Sequence, residues 1–403
     1  MDFWRKVFRR RRRGKKSKPA ARPDPTPGVS SHQPNQPTEE VALGASYNYQ
    51  ALQAGQRSTI HPTVVCPEGA KEWKLQDRFN SPIDCVTWSA SLQKLTFGSE
   101  FNQPIDNAVF PSSLQSIEFG INFNRPIAHV VWPRSLHTLK FGFFFDQPLT
   151  EVVWPDSLEE LRIVGCFKRR IEGVDWPPSL KVLHLGFSFN QRVDGVTWPK
   201  SLRVLRFGFQ FNRPIANANW PPSLQLLDFG YCFDQSLGGV AWPGSLEELV
   251  LGGAAMKQLD GIHWPRSLRR LTLGKKFNES LDGVMLPASL EKLNLGMNFN
   301  QPIDHVAWPA SLKVLELGCR FDQRIDGVKW PASVKKIRFS RDFNQPVDNV
   351  AWPPFLETLC FGSRFNQPIR CVAWPTTLKH LLFLNVLGPK QARSISSSPA
   401  PCG

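Results

Sequence analysis

The sequence predicts a mainly-β solenoid of about fourteen 22-residue coils, flanked by disordered termini. Three observations carry this. Phe recurs every 22 residues from Phe79 to Phe365, with Ala255 the one absent member, so the units follow one another without insertion or deletion. Trp keeps the same register at twelve positions from Trp88 to Trp374, with Phe110 and Leu286 in the two gaps. Within each unit the apolar residues twice follow the order apolar-x-x-apolar-x-apolar, as in Ile303, Val306, Trp308 and then Leu312, Leu315, Leu317. Self-similarity at a fixed period of this size marks an array of supersecondary units, each too small to bury its own apolar side chains and each burying its neighbour's.

Taken in chain order, the first segment is a basic, aromatic arm at 1–18. It holds ten Lys or Arg (among them Arg9, Arg10, Arg11, Arg12, Arg13, Lys15 and Lys16) against Asp2 alone, so most of the net charge of +15 sits there. Residues 19–56 are rich in Pro, Ala, Gln and Ser, a composition with too little apolar surface to fold, and read as a disordered linker. At 57–78 the repeat columns can be traced back one turn through Val64, Cys66, Pro67, Trp73 and Leu75, with Arg57 where the leading Phe should stand. This reads as a degenerate capping coil. Residues 79–384 are the repeat solenoid, and 385–403 a flexible tail.

Inside one coil, the last two members of each apolar set alternate at period two, the spacing of a half-buried strand. Pro at two separate places, such as Pro302 and Pro309, rules out a helix and marks corners. Each coil is therefore expected to contain two short strands and two bends. Gly ends the second strand in eleven coils, Gly186 and Gly208 among them, where a positive φ is expected. The residue after the Phe is Asn or Asp in twelve of fourteen units, Lys168 and Met256 being the exceptions. A short polar side chain there should bond the backbone at the bend and stack as a ladder between coils. The recurrent Ser column, for example Ser113 and Ser311, has the same kind of turn role.

Units such as FNQPIDNAVFPSSLQSIEFG (101–120) and FNQPVDNVAWPPFLETLCFG (343–362) closely resemble the FNIP repeat, named for Phe-Asn-Ile-Pro. The resemblance covers about residues 70 to 384. It implies a leucine-rich-repeat-like solenoid that binds partners, often joined in that family to an F-box or kinase domain. No such domain is visible in this sequence, so a ubiquitin-ligase role does not carry over.

Function should lie where residues escape the pattern. The outward position two before the Gly column brings Lys140, Arg162, His184 and Arg206 side by side in coils three to six, about 4.8 Å apart. The position just after the Gly holds Phe143, Phe187, Phe209 and Tyr231 between coils three and seven, with Gly165 intervening. Such a stretch reads either as a partner-binding face for an acidic protein segment or nucleic acid, or as solvated cations beside aromatics tucked into the corner. Coil five also departs at Lys168, Arg169 and Arg170, which read as an anion-contacting knuckle or as tolerated drift in a bend; coil nine departs at Ala254, Ala255 and Met256. For the arm, a nuclear import signal, an anionic membrane contact, a nucleic-acid contact and a solvated tail all fit a charge run preceded by Phe3, Trp4 and Phe8.

No catalytic set converges. The eight His residues are scattered over several columns and pair with no Cys or Ser motif, and no Walker-type loop is present. The eight Cys form no Cys-x-x-Cys pair, so neither a metal nor a cofactor is expected. No apolar run is long enough for a transmembrane segment. The expectation is a non-enzymatic, intracellular protein-binding scaffold, nuclear or cytoplasmic, with nucleic-acid binding through the arm and the basic coils as the rival.

Overall fold

The computed structural model describes residues 65–253, 259 and 261–384. The basic arm, the linker, the departure at Ala254 to Met256 and the tail from 385 lie outside the described residues.

Fifteen short strands run in chain order through one parallel sheet, from β1 (Glu72–Lys74) to β15 (His380–Phe383). Each strand pairs with the one 22 residues on, so that Leu139 faces Leu161 and Leu161 faces Leu183. The described part of the segment 57–78 supplies β1, with Trp73 opposite Leu95. The three-residue strands from β2 to β13 turn their central residue inward and their flanks outward. In β6 (Val182–His184) and β7 (Val204–Arg206) that residue is a fully buried Leu between two half-buried neighbours.

The expectation of two strands per coil is wrong; there is one. The first apolar set is not extended, because its backbone donors are used locally. The Val130 N–H donates to the Ile127 carbonyl at 3.3 Å, and just past Trp132 the Leu136 N–H donates to the Pro133 carbonyl at 3.0 Å. Two successive i to i+3 turns therefore flank this Trp, and the same pair recurs at Trp154, Trp176, Trp198 and Trp220. The Pro that follows the Trp has no N–H for a ladder, so this side folds as corners while the second set, free of Pro, makes the sheet.

The core is built from columns. The leading Phe rings stack coil on coil, Phe101 on Phe123 at 6.0 Å and Phe189 on Phe211 at 6.2 Å between ring centroids, and all four are fully buried. Where Phe also closes the strand, a second ladder forms beside the first, as in Phe207 over Phe229 at 5.8 Å. Burying a large apolar side chain stabilises by roughly 1.5–3 kcal/mol, so the array is held mainly by these columns.

The Asn column forms the expected ladder. The Asn300 side-chain oxygen accepts from the Asp322 N–H at 2.8 Å and from the Gln323 amide at 3.0 Å; Asn300 in turn donates its own N–H to Asn278 at 2.7 Å. The Ser column donates across coils too, Ser113 Oγ to the Leu92 carbonyl at 2.7 Å. The Gly column needs a different explanation from the one expected. Gly186 does have φ of +81°, but Gly208 has no positive φ. What Gly208 requires is space: a Cβ there would lie 1.3 Å from the Gly186 carbonyl oxygen. Close approach of consecutive backbones is the commoner demand in this column.

Candidate partner-binding surface

The parallel register places the four outward basic positions next to one another. Lys140 in β4 (Thr138–Phe141) faces Arg162 in β5 (Glu160–Ile163), Arg162 faces His184, and His184 faces Arg206. The row is not an uncompensated line of charge, however. Lys140 pairs with Glu118 of the preceding coil and Arg162 with Glu160 of its own strand. Arg206 Nη1 reaches Asp228 of β8 (Leu226–Asp228) at 3.3 Å. His184 is held neutral: burial, and then the neighbouring charges of Arg162 and Arg206, bring its pKa down to about 4. Each cation thus has a partner within the solenoid, and the like-charge cost that would call for an external anion is already offset.

The aromatic column behaves differently. Phe187 stacks on Phe209 at 4.7 Å and Phe209 on Tyr231 at 4.5 Å, with interplanar angles of 10° and 7°. Phe209 is 39% exposed, so the ladder stands at the surface and is not tucked into the corner as core. The Lys275 ammonium lies 5.1 Å from the Tyr231 ring centroid and covers the end of the stack. Phe143 does not join them. Gly165 interrupts the column, and Phe143 packs edge-on against Phe144 at 5.1 Å.

The sheet face contributes an apolar stripe that the sequence reading missed. It weighed the outward position at the end of each strand and passed over the one at its start. There Val182, Val204 and Leu226 face each other in register across β6 to β8, all half-buried. Elsewhere several of the same positions carry charges laced between coils, as in Lys94 with Glu72 at 3.3 Å and Arg270 with Glu248 at 2.8 Å. Coils five to seven therefore present two apolar rows, the Val182 stripe and the Phe187 ladder, with His184, Arg206 and Asp228 between them. Asp228 is itself raised in pKa by burial, against the pull of the Gly230 N–H at 2.9 Å and of Arg206. Three consecutive apolar residues in a column that elsewhere is polar except at Val314 were visible in the sequence and would have found the stripe.

The knuckle in coil five divides. Lys168 donates its N–H to Asp146 Oδ1 at 2.9 Å, and Arg169 Nε donates to the Asp146 carbonyl at 2.9 Å. Arg170 makes no hydrogen bond or ion pair among the described residues and lines a cavity of about 400 Å³ with Glu172, Gln191, Arg192 and Arg213. Arg192 and Arg213 had not been singled out. The signal for Arg192 was its place in a column that is otherwise mostly Pro. Residues Arg9 to Arg13, Lys15 and Lys16 lie outside the described residues. Among the described residues no group of three or more His, Cys, Asp or Glu is placed to hold a metal ion, and no helix is long and apolar enough to cross a membrane.

The model of the FNIP repeat matches residues 74–122, 123–166, 189–232 and 277–320. Among solved structures, CroV588, described as a circular leucine-rich-repeat protein, is 32% identical with a TM-score of 0.61 over 77% of this chain and 55% of its own. The chain thus spans about half the length of that relative. The internalin InlF from Listeria monocytogenes is 13% identical, with a TM-score of 0.48 over 78% of this chain and 87% of its own. The Toll-like receptor TLR13, solved with ssRNA13, is 14% identical with a TM-score of 0.46 over 73% of this chain and 53% of its own. No curated protein matches the sequence. The Trp corner and the inward strand Leu of the matched segments continue through the coils between them, as Trp176, Trp242 and Trp264 and as Leu183, Leu249 and Leu271, while the Phe-Asn column departs at Lys168 and at Ala255. The matched segments of this chain are FNIP repeats, carried on a leucine-rich-repeat-like solenoid.

Proposed function

We propose that the solenoid is a protein-binding scaffold and not an enzyme, and that it engages its partner through coils five to seven. The observation that carries this is the pairing of the exposed Phe187–Phe209–Tyr231 ladder with the Val182–Val204–Leu226 stripe. Rigid aromatic and aliphatic side chains around a few polar groups are the usual make-up of an energetic centre in a protein interface. His184, Arg206 and Asp228 then supply orientation, since their hydrogen-bonding groups lie between the two apolar rows.

The nucleic-acid reading fits this surface less well. Stacking platforms offer ring faces to bases, but here the faces are turned onto each other at 4.5 and 4.7 Å, and Lys275 sits over the last ring. Where the rings stack, their edges are what remains to face outward. Edges suit apolar side chains better than nucleobases.

The test is comparative cross-linking and affinity capture with the wild-type chain, the Phe209→Glu variant and the Val204→Glu variant. Specific partners of the wild type should be lost from both variants and retained by Lys336→Glu, which changes the sheet face at another coil. Partners recovered equally by all four chains would sink the reading. Binding of single-stranded RNA abolished by Phe209→Glu would replace it with the nucleic-acid one.

A further inference from the structure

The cavity beside Arg170 lies in the column that follows Asn-Gln in each unit, where most coils carry Pro. Arg replaces Pro at 170, 192 and 324. Two of these arginines are closed within their own coil by the Asp two residues on. Arg192 donates to Asp194 at 3.0 and 2.5 Å, and Arg324 donates to Asp326 at 3.1 and 2.9 Å. At the first the closing residue is Glu172, one methylene longer, and the pair does not form: neither Arg170 nor Glu172 has an ion pair among the described residues. Arg170 is left facing a cavity of about 400 Å³ that Arg192 and Arg213 also line. Arg213 is held by its Nε on the Asn190 carbonyl at 2.9 Å, which leaves its terminal nitrogens available.

A second irregularity falls at the same junction. The Asn ladder arrives at coil five, where the Lys168 N–H donates to Asp146. Lys168 has no side-chain oxygen to pass it on, so the main-chain N–H of Asn190 loses the acceptor that the next coil receives elsewhere. Three guanidinium groups from three successive coils, one of them unpaired, thus lie beside an interrupted ladder.

We propose that this cavity binds a phosphate monoester, carried on a phosphorylated side chain of a protein ligand. A monoester carries about −1.5 to −2 charge at neutral pH and three strong acceptor oxygens, and guanidinium groups match its geometry with paired N–H donors. The single-site character argues against a polynucleotide. Within its own column the cavity is bounded by Pro148 on one side and Pro214 on the other, and the neighbouring Arg169 is already bonded to Asp146. Glu172 opposes the ligand and makes its affinity tunable.

The test is calorimetric titration of the full chain with phenyl phosphate at low ionic strength, followed by a phosphoserine peptide and its unphosphorylated form. One site is expected. Arg170→Ala should weaken it by about tenfold or more, while Arg324→Ala, in the same column of coil twelve, leaves it unchanged. Glu172→Gln should tighten it, and Glu172→Asp should weaken it by closing Arg170 as Asp194 closes Arg192. The phosphopeptide should bind and its unphosphorylated form should not. Absence of phenyl phosphate binding, or equal loss in Arg324→Ala and Arg170→Ala, overturns the proposal. So does Arg170-dependent binding of single-stranded RNA by a chain that ignores phenyl phosphate.

Discussion

Replacing Gly208 by Ala tests how closely the coils approach. The added carbon would sit 1.3 Å from the Gly186 carbonyl oxygen, and a carbon needs roughly 3.5 Å from its neighbours. About 2 Å of displacement must therefore be found between two coils spaced about 4.8 Å apart. That gap is bridged by backbone hydrogen bonds, Leu185 N–H to the Arg206 carbonyl at 3.0 Å and Gln210 N–H to the Phe187 carbonyl at 2.9 Å. Both stretch beyond usefulness if the coils part, at about 1 kcal/mol each, and overpacking adds a further 1–3 kcal/mol. The expected cost is about 3–5 kcal/mol. Gly327 is the control: it has no positive φ, and an added Cβ there meets only the Asp304 Cβ at 3.6 Å, an ordinary contact. Gly327→Ala should be neutral or slightly stabilising through the unfolded chain. Urea unfolding of both variants, followed by Trp fluorescence, separates the two. Because each coil touches only its neighbours, Gly208→Ala should also split the transition in two by uncoupling the halves. Equal midpoints for the two variants would refute the close-approach argument.

Three further outcomes are expected. Lys168→Asn restores the ladder acceptor for the Asn190 N–H and should stabilise by about 1 kcal/mol in the same urea assay. Trp176→Phe should cost less than about 1 kcal/mol, against 3–5 for Trp176→Ala, because the buried indole nitrogen has no hydrogen-bond partner and Phe110 already serves in this column, stacked on Trp132 at 6.2 Å. His184 has its pKa lowered from 6.5 to about 4, so the unfolded chain binds the proton more tightly. Its contribution is therefore fully present above about pH 6.5 and is lost as the pH falls toward 4; His184→Gln should flatten that part of the stability profile measured by thermal unfolding.

The resemblance to FNIP repeats and the column arithmetic made most of the fold legible. Phe299 and Leu315 are inward because the period leaves them no other place, and Asn300 is a ladder residue because a polar side chain repeated at a bend meets its own copy in the next coil. The site was legible only in its positions. Lys140, Arg162, His184 and Arg206 do lie in one row, yet the sequence could not say that Glu118, Glu160 and Asp228 would neutralise the cations or that burial would keep the imidazole uncharged. It pointed to the aromatic column without showing that Phe143 stands apart while Phe187, Phe209 and Tyr231 stack at the surface.

The sequence by itself determined how many coils follow one another, which residues meet across them, and which side of each strand is dry. These follow from an unbroken 22-residue period, since stacking a repeat on itself leaves no freedom of register. Only the tertiary structure decided that one apolar set per coil becomes strand and the other a pair of turns, and that Arg170 stays open where Arg192 and Arg324 are closed. Those outcomes depend on hydrogen-bond directions and on the reach of a single methylene group, distances that a spacing of residue types along the chain does not encode.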